Sequence, residues 1–134
     1  MTLPATVYQG IQVGVESTAG TPVAANKKLL SVTMKPSPQT ETSPFRAMGN
    51  KYASFVSLNK EWTSINIEGQ PTFNEIVYLL SGLMHYAAPV KQGATAAYKW
   101  TFVTNTSAAD VGKTFTIEQG DADRAWRVAG ARVS

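Results

Sequence analysis

Apolar and polar positions alternate through most of this chain, and the period changes clearly only once. Ile11, Val13 and Val15 fall on alternate positions after Gly10, the pattern of a short half-buried strand. A Ser17-Thr18-Ala19-Gly20-Thr21-Pro22 run then predicts a turn. Leu30, Val32 and Met34 share a face of a second strand over residues 29–34. In residues 35–50, Pro36, Pro38 and Pro44 stand among short polar residues, and proline neither donates to a sheet ladder nor continues a helix. A long loop is therefore expected there, and its apolar Phe45 and Met48 favour a loop that docks over one that is free.

Alternation resumes in residues 51–58, where Val56 and Leu58 share a face, and a turn near Asn59-Lys60 is expected to lead into residues 62–68. There Thr63, Ile65 and Ile67 point one way and Ser64, Asn66 and Glu68 the other, as in a sheet dry on one side and wet on the other. The period then switches to the helical one. Thr72 with Glu75 three residues on predicts a capping box. Phe73, Ile76, Val77, Leu80, Leu83 and Met84 recur at helical spacing, and Tyr78 and Leu79 widen the stripe. A helix over about residues 72–84 follows, read first as packing on the core and second as meeting a partner.

Past Ala87-Ala88-Pro89, Tyr98, Trp100 and Phe102 alternate with Lys99 and Thr101 as an aromatic-faced strand, and residues 104–112 read as a loop. Residues 113–119 are expected to bury Phe115 and Ile117 and to expose Thr114, Thr116 and Glu118. Gly120-Asp121-Ala122-Asp123 turns the chain into residues 124–133, where Trp126 and Val128 alternate with Arg127, and the pair reads as a hairpin. The pattern is that of a mainly β chain with one helix.

Composition narrows this picture. The 134 residues make one domain with a single core, and only 16% are charged, so much of the surface is Ser, Thr, Asn and Gln. Such a surface suits a protein covered in an assembly as well as an ordinary β domain. The chain has no cysteine, which excludes disulfides and thiolate metal sites. No apolar run is long enough to span a membrane as a helix, and the first residues lack the pattern of a signal peptide, so neither is expected. The net charge of +3 comes from basic residues scattered along the chain, of which only Lys27 and Lys28 are adjacent. A nucleic-acid reader concentrates them instead.

Catalytic chemistry finds few residues. His85, the lone histidine, follows the helix with no G-x-S-x-G elbow elsewhere, and suits a helix C-terminus. Glu61 and Glu68 are an odd number of positions apart on one strand and project to opposite faces, so they do not flank one bond. Asp121 and Asp123 fit a turn and lack the further oxygen ligands of a calcium loop. Gly10, Gly14 and Gly20 have neither the spacing nor the following helix of a phosphate loop. No catalytic, metal or cofactor residue is assigned, and no enzyme is expected.

Five pieces in order resemble siphophage-type phage tail tube proteins, the major tail protein family. They are the arm from Gly10 to Ala25 with Leu29-Leu30; Glu61-Trp62 leading to Ile67-Glu68-Gly69, Phe73-Asn74-Glu75-Ile76 and Tyr78-Leu79-Leu80; Tyr98-Lys99-Trp100-Thr101-Phe102; Phe115-Thr116-Ile117-Glu118-Gln119-Gly120-Asp121; and Arg127-Val128-Ala129-Gly130-Ala131-Arg132. The resemblance implies a tail-tube-like β-sandwich or barrel over residues 1–134 with one flanking helix. Family members usually continue past such a point, and residues 131–134 read as mid-strand, so either a short variant or one segment of a larger tail protein is expected. The implied protein is a virion component made in the host cytoplasm. It self-assembles into hexameric rings stacked as a tube that conducts DNA, and it meets tape-measure, tail-terminator and distal tail proteins. Its subunit or inter-ring contacts would be Ile11, Val13, Val15, Pro44, Phe45, Arg46 and Met48. Its lumen-facing residues would be Ser64, Asn66, Glu68, Thr114, Thr116 and Glu118. The competing reading is a small β-rich binding module for carbohydrate or a host surface, with Trp62, Trp100 and Trp126 as stacking groups.

Overall fold

The computed structural model describes residues 10–134 except 84 and 122–124. Met84, Ala122, Asp123 and Arg124, which figure in the expectations above, lie outside the described residues. The elements are β1 (Gly10–Val15), β2 (Lys27–Leu29), β3 (Val32–Phe45), β4 (Phe55–Gly69), α1 (Phe73–Leu83), β5 (Val90–Lys91), β6 (Tyr98–Lys99), β7 (Phe115–Gly120) and β8 (Ala125–Ala131). The chain is mainly β with one described helix, and none of its described sheets closes. The contacts divide it into two compact units, residues 33–68 and the remainder.

In the larger unit a four-stranded antiparallel sheet runs in the order β2-β1-β7-β8. Its register aligns Val13 with Lys27 and Ile117, and Ile117 with Val128. One face therefore gathers Ile11, Val13, Leu29, Phe115 and Ile117, all buried, and this is the core. Helix α1 lies on that face so closely that a Cβ on Gly82 would stand 2.1 Å from the Phe115 ring. Only glycine permits that approach at that position.

On the other face the chain after β1 folds back over its own sheet. Val23 N–H donates to Thr116 Oγ1 at 3.1 Å, and a Cβ on Gly14 would meet the Ala24 carbonyl at 2.9 Å. Residues 16–25 are thus a lid on β7, and Thr114 and Thr116 beneath it are buried. The expected exposure of these two threonines is overturned, because the central strand is covered on both sides. Ile11 and Val13, expected as contacts to a neighbouring subunit, are 2% exposed inside their own core. The opening stretch is an internal strand and lid, since its apolar face finds β7 and α1 within the same chain.

The hairpin of β7 and β8 matches the sequence pattern, with Gly120 opposite Ala125. A one-residue shift in register falls between Phe115, opposite Ala131, and Ile117, opposite Val128. Gly130, at φ +73°, takes up this bulge in the left-handed region where a side chain is disfavoured. The helix spans Phe73–Leu83, close to the expected bounds. The aromatic strand is shorter than its alternation predicts: only Tyr98–Lys99 pairs, with Val90–Lys91. Trp100 and Phe102 continue past it, Trp100 standing edge-on to Tyr78 at 5.2 Å and stacked on Phe102 at 6.3 Å.

Two expectations fail together in the smaller unit. Residues 35–45 are strand and not loop, and no turn occurs at Asn59-Lys60, because β3 and β4 form one long two-stranded ribbon. The physical reason lies in the prolines. A strand with one neighbour needs only every second amide, and Phe45 directs its carbonyl inward to accept Ser54 N–H at 2.8 Å. In regular alternation Pro36, Pro38 and Pro44 then place their nitrogens on the outer edge, where no hydrogen bond is lost.

Candidate functional site

The smaller unit is dense in exposed large apolar side chains. Its tip is residues 46–54, closed by the Ser54–Phe45 backbone bond and by Asn50 N–H to the Ala47 carbonyl at 3.1 Å. Phe45 and Phe55 stack across the neck with centroids 4.9 Å apart, so the two strands run antiparallel from there. Asn59 Nδ2 donates to Ser43 Oγ at 2.6 Å further along the ribbon. Lys35 and Glu68 pair at 3.9 Å in full solvent, a contact of little energetic weight.

Within residues 33–68 only Met34 is buried, and Ala47, Ile65 and Ile67 are half-buried. Along β4 one face reads Val56, Leu58, Lys60, Trp62, then Ser64, Asn66, Glu68. The tip-proximal half of that face is exposed and apolar apart from Lys60, and the other half is polar and exposed. Phe45 and Phe55 are also exposed, Tyr52 more so, and Met48 is entirely exposed. Lys51 lies over the Tyr52 ring at 5.5 Å and Lys60 over the Trp62 ring at 5.2 Å, so cations shield two of these rings.

Of the residues singled out from sequence, Pro44, Phe45, Arg46 and Met48 come together at this exposed end. Ser64, Asn66 and Glu68 are exposed on the same ribbon. Val15 is half-buried at the end of β1. Glu118 is half-buried in the sheet opposite Arg127, whose Nε donates to it at 2.6 Å. Tyr52, Phe55, Val56, Leu58 and Trp62 were not singled out as contacts. Their signal was present: apolar residues fall on both faces of residues 55–58, which a strand dry on one side does not require.

Two buried carboxylates shape the larger unit, and among the described residues neither pairs with a cation. Glu16, 1% exposed, accepts four hydrogen bonds: Gly20 N–H at 2.8 Å, Thr114 hydroxyl at 2.6 Å, Thr116 hydroxyl at 2.8 Å and Gly130 N–H at 2.8 Å. Burial alone pushes its pKa up, but the Thr114, Gly130, Thr116 and Gly20 donors outweigh burial and lower it from 4.5 to about 2. It ties β1, the lid, β7 and the β8 bulge at one point. Glu75 accepts Thr72 N–H at 2.8 Å, as expected of a capping box, and the Thr72 hydroxyl donates to the same oxygen at 3.0 Å. Its other oxygen accepts the Leu30 and Ser31 N–H groups, fixing the corner after β2 to the start of α1. The Thr72 and Leu30 amides, in that order, lower its pKa from 4.5 to about 2. Sequence reasoning found the cap and missed the corner, since Leu30 and Glu75 are far apart in the chain. It missed Glu16 altogether.

His85 borders an open depression with Val103, Thr104, Asn105 and Thr106. Among the described residues no group of three His, Asp or Glu side chains is placed to hold a metal, and no helix is long and apolar enough to cross a membrane. Compared with known proteins, the chain matches no family model, no curated sequence and no solved structure.

Proposed function

We propose that this chain is a structural subunit that self-assembles into rings stacked as a phage tail tube, a conduit for DNA in the virion. The observation that carries the reading is the β3–β4 ribbon. An isolated two-stranded hairpin is at best marginally stable in water, and this one presents Phe45, Phe55, Val56, Leu58 and Trp62 to solvent. Copies of the chain are the surface against which such a ribbon becomes stable. Its apolar end around Phe45, Arg46 and Met48 then makes the contact between subunits or rings, with Pro44 on the outer edge. Its polar stretch, Ser64, Asn66 and Glu68, faces the lumen with Glu118. A lining without clustered Lys or Arg lets DNA pass, because neutralising many phosphates binds DNA tightly. Hexameric rings and contacts with tape-measure, terminator and distal tail proteins belong to the same proposal.

The alternative of a carbohydrate module draws less support. The ring of Trp100 is engaged by Tyr78 and Phe102, and Trp126 is half-buried within the sheet. Purified protein at rising concentration is expected to give rings or tubes by negative-stain microscopy and a matching rise in sedimentation coefficient. A monomer at high concentration, with no ordered particles, would sink the proposal.

A further inference from the structure

Helix α1 carries its apolar stripe on the wrong side for a core helix. The residues it buries are Glu75 and Ser81, with Gly82 against Phe115. Phe73, Ile76, Leu80 and Leu83 are 92, 37, 40 and 51% exposed. At spacings of three, four and three residues these four lie along one stripe of the helix. We infer that this outer stripe of α1 is a contact surface for a second copy of the chain. The inference rests on the assembly reading above and adds a surface which that reading did not use.

Area and charge select this occupant. At those exposures the four side chains present on the order of 400 Å² of largely apolar surface, taking ~150–200 Å² for a large side chain. A homotypic interface at the lower end of the stable class buries ~600 Å² per partner, about two-thirds of it apolar, which is the same amount. Residues 69–89 contain no Lys or Arg, and their one acid, Glu75, is turned inward onto Thr72, Leu30 and Ser31. A membrane-surface helix needs a basic flank, which residues 69–89 lack, and the Lys27 Nζ that lies 5.6 Å from the Tyr78 ring centroid meets the helix at a position outside the stripe. The stripe itself offers a charged partner no charge to pair with. A second copy meets no like-charge repulsion and gains only apolar burial.

The chain holds no cysteine, so Leu80→Cys supplies a single thiol on the stripe. Its maleimide labelling is measured in dilute and in concentrated full-length protein, alongside sedimentation of wild type and Leu80→Glu. The thiol is expected to react at least ~10-fold more slowly in the associated sample, and Leu80→Glu to weaken association by ~100-fold, as for a contact at the centre of an interface. Equal labelling in both samples, or undiminished association of a folded Leu80→Glu, overturns the inference and leaves the assembly reading standing. Slow labelling in dilute monomer assigns the stripe to the chain's own residues and overturns it as well. A wild type that stays monomeric at every concentration removes the assembly reading itself, and the inference with it. If Leu80→Glu fails to fold, the labelling comparison decides alone.

Discussion

The four-stranded sheet and the β3–β4 ribbon are built from similar alternating sequence and reach opposite ends. In the sheet, β7 is covered on both faces, by α1 through Phe115 and by the lid through Thr116. In the ribbon, strands at least twice as long bury Met34 and little else. Alternation specifies which residues share a face, and it does not specify whether anything covers that face. Coverage within the chain came from a loop folding back and from a glycine that lets a helix approach. Among the described residues the ribbon has neither, and under the proposed assembly its uncovered apolar face is what meets neighbouring copies.

The largest expected difference between the regions comes from the same substitution in each. Phe115→Ala removes a ring that is 2% exposed beneath α1, and is expected to cost ~3–5 kcal/mol of unfolding free energy. Phe55→Ala removes a ring that is already 58% exposed and stacked only on Phe45. Its cost in dilute protein is expected at ~1 kcal/mol or less, about the worth of one aromatic pair. Denaturant titration at low concentration measures both. Equal costs would erase the distinction between the two regions. If Phe55→Ala becomes the more costly of the two in assembled protein, the ribbon has found its cover there.

The next effect tests the polar fastening of the sheet. Glu16→Gln keeps the shape but replaces one accepting oxygen with an N–H₂ group facing donors, and is expected to cost ~2–4 kcal/mol. The pH dependence has a definite sign. The folded pKa values of Glu16 and Glu75 are about 2 against an ordinary 4.5, so the unfolded chain binds more protons between those values. Their contribution is therefore full above about pH 4.5 and is lost as pH falls toward about 2. Thermal unfolding of the wild type is expected to show this acid limb, and Glu16→Gln to flatten part of it. An unchanged acid limb in the variant would mean that Glu16 is not held ionised in the fold. Gly82→Ala comes next at ~1–3 kcal/mol, because the added Cβ must push the Phe115 ring or lift α1. Loss of near-ultraviolet dichroism with the helix signal retained would show that α1 has lifted.

Sequence pattern carried the local structure further than the packing. The helix from Phe73 to Leu83, its Thr72–Glu75 cap and the β7–β8 hairpin all follow from spacing and turn residues within a short span of chain. What alternation could not say was which apolar face would be covered. The family resemblance put Ile11 and Val13 on another subunit, where alternation alone gave a half-buried strand. The helical period put the α1 stripe in the core because such stripes usually go there. Both assignments depended on contacts between distant positions, Thr116 with Glu16 for the first and Gly82 against Phe115 for the second. The exposed end of the ribbon was half legible: Phe45 and Met48 stood out among polar neighbours, whereas Phe55, Val56 and Leu58 read as ordinary strand.

The smallest expected change in stability concerns the prolines that disguised β3 as a loop. Pro36 and Pro38 lie on an exposed edge with their nitrogens turned outward, so Pro36→Val with Pro38→Val breaks no hydrogen bond. Unfolding free energy is expected to stay within ~0.5 kcal/mol of the wild type, as for exposed positions elsewhere. Two new N–H groups on the edge of a long flat strand then offer a template for pairing with any other edge. Under the proposed assembly, the variant is therefore expected to give irregular aggregation in place of ordered particles, measured as light scattering that rises without rings or tubes under the microscope. A variant that is strongly destabilised as monomer would place those nitrogens on the inner side of the ribbon. One that assembles as the wild type does would leave the prolines without a protective role. Either result would narrow the contrast between the closed sheet and the open ribbon, because the prolines would no longer be what keeps the open edge selective.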